Sequence, residues 1–158
     1  MILIDVSRGE IMAYSARELL ARLIKCEAGG EGENGMKAVA AVVMNRVHVA
    51  YGEYLRTGQG NLRNIVYQPY QFTCVLPTIY GQPNYQTIWS SEPEQIHYQI
   101  ADWALDGNRL SGIGEALWYF NPYNPICPNY FPVNKSGSYV NTIAKHCFYL
   151  PTPKYATT

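Results

Sequence analysis

The sequence predicts an α+β domain with a helical core and a short antiparallel sheet. Three segments place apolar residues at the spacing of amphipathic helices, and a later aromatic segment is short and ends at a proline, which favours a strand. The chain has 158 residues, 47% of them hydrophobic, which is enough for one core and too few for a second independent one. We therefore expect residues 1–158 to form a single domain.

The first helix is predicted to begin after Ser15 and to end near Cys26 or Glu27. Ser15 and Glu18 form the S-x-x-E pattern of a capping box, which marks the start of a helix. The apolar face is formed by Leu20, Leu23 and Ile24. Glu27 follows these residues at helical spacing, so it falls on the face that should be buried. The glycines at positions 29, 30 and 32 then end the helix.

A second helix is predicted from about Gly35 to Val49. Its apolar residues repeat at helical spacing and many of its residues are small, which indicates a central helix that is buried nearly all round. Asn45 and Arg46 are its main polar exceptions. From Gly58 to Gln86 the chain is rich in Gly, Pro, Asn, Gln and Tyr, and we predict loops with short strands there.

A third helix is predicted to begin at Ser91, which forms a second capping box with Glu94, and to end near Asp106. Its inner face is expected to contain Ile96, Ile100 and Trp103. The aromatic segment Ala116–Asn121 favours a strand, and Tyr139–Tyr149 is predicted to be a second strand or a short helix.

The composition limits the ligands that the protein can bind. Twelve basic and twelve acidic residues cancel, so no long-range field attracts nucleic acid or an anionic lipid surface. Fourteen tyrosines offer flat apolar faces and hydroxyls, which suits carbohydrate, although tyrosines also fill half-buried positions in small domains. Charged residues interrupt Met1–Glu10, so we expect no Sec signal, and no apolar stretch approaches the length of a membrane span.

The four cysteines, at positions 26, 74, 127 and 147, are not arranged as C-x-x-C. In a chain of this size an even number of cysteines does not by itself require a disulfide framework. We therefore expect free thiols, with Cys26 as a packed one, and a bridge only if the protein works outside the cytosol.

Glu27 is the main candidate catalytic residue. An ionised carboxylate on an apolar helix face loses hydration, and raising its pKa so that the proton stays bound relieves that loss. A protonated Glu near neutral pH can donate to a glycosidic oxygen. The alternative is a Glu at a helix end that simply points to solvent.

Glu31 and Glu33 are candidates for the second carboxylate that glycoside hydrolysis normally requires. Acidic residues before a helix also stabilise its N-terminus, so both can be purely structural. Without a partner carboxylate, one Glu would act as acid and then as base on the sugar's own hydroxyl, as in a transglycosylase. The three histidines lack zinc-binding spacing, and we expect neither a metal nor a cofactor.

Four segments together resemble the SleB/CwlJ cell-wall hydrolases of spore-forming bacteria, and they occur in the order which that family shows. The opening motif is Glu27–Val47, and it is followed by Tyr67–Phe72, Trp118–Pro122 and Ile143–Tyr149. The resemblance covers about residues 16–149. Gly30 departs from the family, which often has Arg or a similar residue at this point of the motif.

The resemblance implies a small lysozyme-like or lytic-transglycosylase-like catalytic domain that opens cortex peptidoglycan during germination. Glu27 would be its catalytic acid. Substrate-binding roles in the groove are implied for Glu31, Gln71, Phe72, Tyr119, Asn121 and His146. A chain without a Sec signal is similar to the CwlJ-like branch, which implies residence at the spore coat and cortex boundary, muramic-δ-lactam glycan as substrate, and spore-coat proteins as partners.

Two other functions remain open from the sequence. A muramidase-like lysin of a prophage would also lack a Sec signal, and a non-catalytic peptidoglycan-binding coat protein would use the same tyrosine-lined groove. Hydrolysis and transglycosylation are both compatible with the residues.

Overall fold

The computed structural model describes residues 14–124 and 126–158. The predicted absence of a Sec signal concerns Met1–Glu10, which lies outside these residues. The α-helices are α1 (Ala16–Ala28), α2 (Gly32–His48), α3 (Gly52–Gly58), α4 (Leu62–Val66) and α5 (Gln95–Leu105). The strands are β1 (Thr78–Ile79), β2 (Gln82–Pro83), β3 (Trp118–Phe120), β4 (Gly137–Ile143) and β5 (His146–Pro151). Two 3-10 helices span Thr73–Val75 and Pro153–Thr157.

Helix α1 begins as predicted. The Ser15 side chain accepts a hydrogen bond from Glu18 N at 3.1 Å. The Glu18 carboxylate accepts from Arg22 Nε at 2.8 Å, one turn further along the helix, so half of the predicted capping box forms. Leu20, Leu23 and Ile24 are fully buried, which confirms the predicted apolar face.

Helix α2 is the central helix, and its predicted burial on nearly all sides is confirmed. It begins at Gly32, three residues before the predicted start at Gly35. Asn45 donates to the carbonyls of Gly114 and Ala116, and Arg46 donates to the Leu117 carbonyl at 2.7 Å. The two polar exceptions of this helix therefore attach it to the chain that leads into β3.

The region 58–86 is more helical than predicted. Helix α4 and the 3-10 helix Thr73–Val75 lie within it, and a small hairpin of β1 and β2 supplies the predicted short strands. Asn61 caps α4 by accepting from Asn64 N at 3.2 Å, while Ile65 and Val66 are buried. A helix of five residues is too short to produce a recognisable apolar period, so the prediction of loops with short strands missed this helix.

Helix α5 begins later than predicted. Its N-cap is Glu94, which forms a capping box with His97: the His97 side chain accepts from Glu94 N at 2.9 Å. The predicted start at Ser91 was therefore wrong. Ser91 and Glu94 have the same spacing as Glu94 and His97, so the sequence motif placed the cap three residues too early. Ile100 is buried on the inner face, whereas Ile96 and Trp103 are only partly buried.

The main sheet has the order β3-β5-β4 and is antiparallel. The predicted strand Ala116–Asn121 contains β3, and the segment Tyr139–Tyr149 forms most of the β4–β5 hairpin. A register shift between Tyr139 and Asn141 bends β4. This sheet packs on one face of α2, and α1 and α5 pack on other faces. The predicted α+β class, with a helical core and a short antiparallel sheet, is confirmed.

All four cysteines form disulfides, so the expectation of free thiols was wrong. Cys26 pairs with Cys74 and Cys127 pairs with Cys147. The partners are 48 and 20 residues apart in sequence, and only the folded chain brings them together. Among the described residues, no helix has both the length and the apolar character needed to cross a membrane.

Candidate active site

Glu27 lies in the last turn of α1 and lines a groove of about 610 Å³. Met36 of α2 and Gln86 line this groove, and four other parts of the chain form most of its walls. They are the end of α1 with the turn that follows it, the start of α5, the segment after β3, and the β4–β5 turn. Besides Glu27, the ionisable side chains along it are Lys25, Glu31, Glu94, His97, Tyr123, Lys145 and His146.

The Glu27 carboxyl group has one hydrogen-bonded oxygen and one that contacts sulfur. Oε1 accepts from the Tyr119 hydroxyl at 2.5 Å, and Oε2 lies 2.8 Å from Cys74 Sγ. Burial raises the pKa of Glu27, while the Tyr119 hydrogen bond and the Arg46 charge oppose the rise. The net effect favours a carboxyl group that keeps its proton at a higher pH than an exposed Glu does.

Arg46 is a buried cation close to this carboxyl, with 5% of its surface exposed. Its guanidinium lies 4.7 Å from the Tyr54 ring centroid and 5.3 Å from that of Phe72. Gln71 Oε1 accepts from Arg46 at 3.3 Å and from the Tyr54 hydroxyl at 2.9 Å. Gln71 and Phe72 are therefore placed around Arg46, and Phe72 is buried.

Glu31 joins two walls of the groove. Its Oε1 lies 2.7 Å from His146 Nδ1 and accepts from Lys145 N at 3.2 Å. Burial lowers the pKa of His146, and the nearby Glu31 carboxylate opposes this. Glu33, by contrast, pairs with Lys37 on the surface at 3.2 Å. The two acidic residues of the glycine-rich turn are thus separated by the fold.

Tyr119 connects Glu27 to the wall of the groove that contains His146. Its ring packs edge-on against His146, with the ring centroids 5.0 Å apart. Burial and the Glu27 carboxylate both raise the pKa of Tyr119 well above its ordinary value, so its hydroxyl stays a donor. Asn121 follows β3, lines the groove, and accepts from Tyr123 N at 2.8 Å.

The fold brings Glu27, Glu31, Asn121 and His146 into one groove, and Tyr119 contacts Glu27 without itself being among the residues that line it. Sequence reasoning did not select Arg46 or the Cys26–Cys74 bridge as parts of this site. Arg46 carried a usable signal, because a cation within an otherwise apolar helix must find partners when it is buried. The bridge carried none, since its cysteines belong to distant segments.

The sulfur atoms of Cys26 and Cys74 and a carboxylate oxygen of Glu27 lie within 4.8 Å of one another. Thiolates beside a carboxylate are typical zinc ligands. Here the two sulfurs are bonded to each other, so they are not available as thiolates.

A second hollow of about 520 Å³ adjoins the groove. The two share Asn121, Tyr123 and Lys145, and the Cys127–Cys147 bridge lines the second. Together they make an elongated cleft rather than a closed pocket, which is a shape that suits a chain-like ligand.

Residues 30–149 match the Cell Wall Hydrolase family. This match begins just after Glu27 and includes the other predicted site residues. The chain is 32% identical to the cell wall hydrolase CwlJ of Bacillus subtilis over 135 residues, which are 85% of this chain and 84% of that protein. It is 33% identical to the spore cortex-lytic enzyme of Oceanobacillus iheyensis over 66% of this chain and 32% of that protein.

The fold is similar to two solved catalytic domains. One is the catalytic domain of the germination-specific lytic transglycosylase SleB from Bacillus anthracis, with a TM-score of 0.59 and 26% identity over 87% of this chain and 98% of that one. The other is the SleB catalytic domain of Bacillus cereus, with a TM-score of 0.60 and 28% identity over 87% of this chain and 93% of that one. The chain therefore belongs to the cell wall hydrolase family, is similar to CwlJ along most of its length, and has the fold of the SleB catalytic domain.

Proposed function

We propose that this enzyme cleaves the glycan strands of spore cortex peptidoglycan during germination, with Glu27 as the catalytic acid. The observation that carries the proposal is the placement of Glu27. Its carboxyl group lies at an open groove, yet it is buried enough to raise its pKa, and it is held by the Tyr119 hydroxyl. A proton donor at a sugar-sized cleft is what cleavage of a glycosidic bond requires.

The first chemical step is proton transfer from Glu27 to the glycosidic oxygen, which breaks the bond to the leaving sugar. Positive charge then develops on the remaining sugar while Glu27 becomes a carboxylate. The Tyr119 hydroxyl and the Arg46 charge both stabilise that carboxylate. Glu27 therefore loses its proton readily when the reaction needs it and can act as a base in the second step.

We further propose transglycosylation, because the other nearby carboxylates are engaged. Glu31 contacts His146 and the Lys145 amide, and the Glu94 side chain caps α5. Glu33 is paired with Lys37. A base that activates water would need a carboxylate free to hold it. With Glu27 as both acid and base, one of the sugar's own hydroxyls attacks the cationic centre, and the product is an anhydro sugar. The SleB relative from Bacillus anthracis is described as a lytic transglycosylase.

The elongated cleft supports a glycan strand as the substrate, with Glu31, Asn121 and His146 in contact with the sugars. Gln71 and Phe72 would act on the substrate through Arg46. The Oceanobacillus iheyensis relative is named a spore cortex-lytic enzyme, which supports a spore location. We propose that the protein acts at the spore coat and cortex boundary, with muramic-δ-lactam glycan as substrate and spore-coat proteins as partners. We propose that residues 1–158 act as one catalytic domain without a metal or cofactor.

Mass spectrometry of the released fragments tests both parts of the proposal. Purified cortex that contains muramic-δ-lactam and vegetative wall are digested in parallel, and the new ends are identified. We expect cleavage of cortex with anhydro-sugar ends. Reducing ends would replace transglycosylation with hydrolysis, and intact glycan strands in both substrates would contradict the proposed function.

Tyr119→Phe is expected to lower turnover roughly 10- to 100-fold with the fold retained, because the carboxylate formed in the first step loses a donor. The hydrogen bond also opposes the rise in the pKa of Glu27. The pH above which activity is lost should therefore move upward in the variant. The measurement is kcat/KM against pH.

Tyr80→Phe is the control for this substitution, because the Tyr80 ring is fully exposed (100%) and should contribute nothing to catalysis. If Tyr119→Phe keeps both the turnover and the pH profile of the unmodified enzyme, Tyr119 has no part in the proton transfer.

A further inference from the structure

The Cys26–Cys74 disulfide lies directly beside the proposed catalytic carboxyl. Cys26 precedes Glu27 in the last turn of α1, and Cys74 belongs to the 3-10 helix Thr73–Val75. Cys74 is buried, with 4% of its surface exposed, and its Sγ lies 2.8 Å from Glu27 Oε2. The bridge thus covers the side of the carboxyl group that Tyr119 does not reach.

A disulfide and a thiol act on a neighbouring carboxyl group in opposite ways. A disulfide sulfur has no proton to donate, so Oε2 gains no hydrogen bond from it and loses contact with water on that side. Both effects favour the neutral carboxyl. A thiol at the same position carries an S–H group, which donates to a carboxylate and favours the charged form.

The other groups that face Glu27 keep their charge when the bridge opens. Tyr119 reaches it from β3 and Arg46 from α2, and both favour the carboxylate in either state. The remaining ionisable side chains of the groove are Lys25, Glu31, Glu94, His97, Tyr123, Lys145 and His146. None of them changes its covalent state on reduction, so the cysteine pair is the only changed contact among the described residues of the groove.

Hydrogen bonds to the backbone also hold the two cysteines on either side of the carboxyl. Gln86 Nε2 donates to the Cys26 carbonyl at 3.2 Å, and Ile88 N donates to the Cys74 carbonyl at 3.0 Å. These bonds hold the two cysteines close after the S–S bond is broken. The freed Cys74 thiol is therefore retained next to Oε2.

We propose that the Cys26–Cys74 bridge is a redox-sensitive positioning element that keeps Glu27 ready to donate its proton, and that a dithiol reductant lowers the activity at neutral and alkaline pH by opening it. This inference rests on the proposed role of Glu27 as the catalytic acid. A thiolate of the reductant attacks Cys26 Sγ, which lines the groove, and Cys74 leaves as a thiolate that takes up a proton. The second thiol of the reductant then displaces Cys26, so two electrons pass to the bridge and the reductant becomes a disulfide.

The test compares the oxidised enzyme with the same enzyme reduced by dithiothreitol, with free thiols counted in each sample. The readouts are kcat/KM against pH on cortex glycan and a carbon-13 NMR titration of the Glu27 carboxyl. We define the alkaline limit as the pH above which activity is lost. We expect reduction to move this limit down by about one pH unit, so that kcat/KM above it falls about tenfold. Cys26→Ser, which leaves the Cys74 thiol in place, should show the same shift without reductant.

The second bridge provides the matched control. This bridge lines the proposed substrate cleft, so a Cys127→Ala and Cys147→Ala double variant is compared by its pH profile and not by its turnover. It should keep the alkaline limit of the unmodified enzyme, and that limit should still move when dithiothreitol is added. If Cys26→Ser does not fold, the reduced unmodified protein decides the matter. Equal pH limits and equal Glu27 titrations in the oxidised and reduced forms would overturn the proposal, and so would unfolding on reduction, which would give the bridge a purely structural role.

Failure of the proposed function gives a different result. In that case Glu27→Gln would be fully active, while the NMR titration would still report whether the bridge controls the protonation of Glu27. The two hypotheses are therefore tested separately.

Discussion

Glu27→Gln is expected to lower the rate of cortex glycan cleavage by roughly three to four orders of magnitude, because the amide cannot donate a proton to the leaving sugar. The amide has nearly the same shape as the carboxyl and keeps an oxygen that accepts from Tyr119, so the groove should be preserved. The measurement is kcat on purified cortex, with fragment release followed by mass spectrometry. Near-normal turnover in this variant would contradict the proposed mechanism.

Glu33→Gln is the matched control, since it makes the same chemical change in the neighbouring turn. Glu33 is exposed and, within the part of the chain that the structure describes, pairs only with Lys37. A surface pair of this kind contributes little to stability, so the variant should keep both its fold and its activity. A comparable loss of activity in Glu33→Gln would show that the effect is not specific to Glu27.

Thermal unfolding of Glu27→Gln checks that the lost activity is not lost structure. Because burial raises the pKa of Glu27 in the folded protein, the charged form is disfavoured there. Below the pKa that Glu27 has in the unfolded chain, its proton is bound in both the folded and the unfolded state. The substitution then gives no gain in stability. As the pH rises from that value through the raised pKa of Glu27 in the folded protein, the native protein loses stability. The Glu27→Gln variant does not lose it. The variant should therefore melt at a higher temperature than the unmodified protein at pH 8, and the two should melt at about the same temperature at pH 4.

The spacing of apolar residues predicted the long helices, because each of them contributes several apolar residues at a fixed interval. It also predicted that Glu27 lies on the buried face of its helix. It placed Glu27 correctly after Leu20, Leu23 and Ile24 on α1. It did not find α4, whose five residues complete little more than one turn. It also misplaced the start of α5, since Ser91 and Glu94 match the capping motif while Glu94 and His97 form it.

Contacts between distant segments could not be predicted from local sequence patterns. The Cys26–Cys74 bridge joins residues that are 48 positions apart, and Glu31 meets His146 only when the β4–β5 turn closes over α2. No local pattern records either contact. The motif resemblance suggested Gln71 as a residue of the site, but only the folded chain places it on Arg46 and Tyr54.

Arg46→Met should destabilise the protein by about 2–4 kcal/mol, although it conserves most of the apolar stem of the side chain. The Leu117 carbonyl would lose its donor inside the protein, and Gln71 Oε1 would keep the Tyr54 hydroxyl but lose Arg46. Two aromatic rings would also lose the cation stacked on them. The same substitution removes a positive charge that opposes the rise in the pKa of Glu27. The alkaline limit of activity should therefore move to higher pH in the protein that remains folded.

Arg17→Met separates the effect of burial from the effect of removing an arginine. Arg17 also lies over a tyrosine ring, that of Tyr98, and pairs with Asp102 at 2.7 Å, but its side chain is 53% exposed. Because water screens and replaces those contacts, its loss should cost much less stability than the loss of Arg46. Chemical denaturation of both variants measures the difference. Equal free energies of unfolding in the two variants would show that the buried contacts of Arg46 do not hold α2 to the segment before β3, and the site would then depend on apolar packing alone.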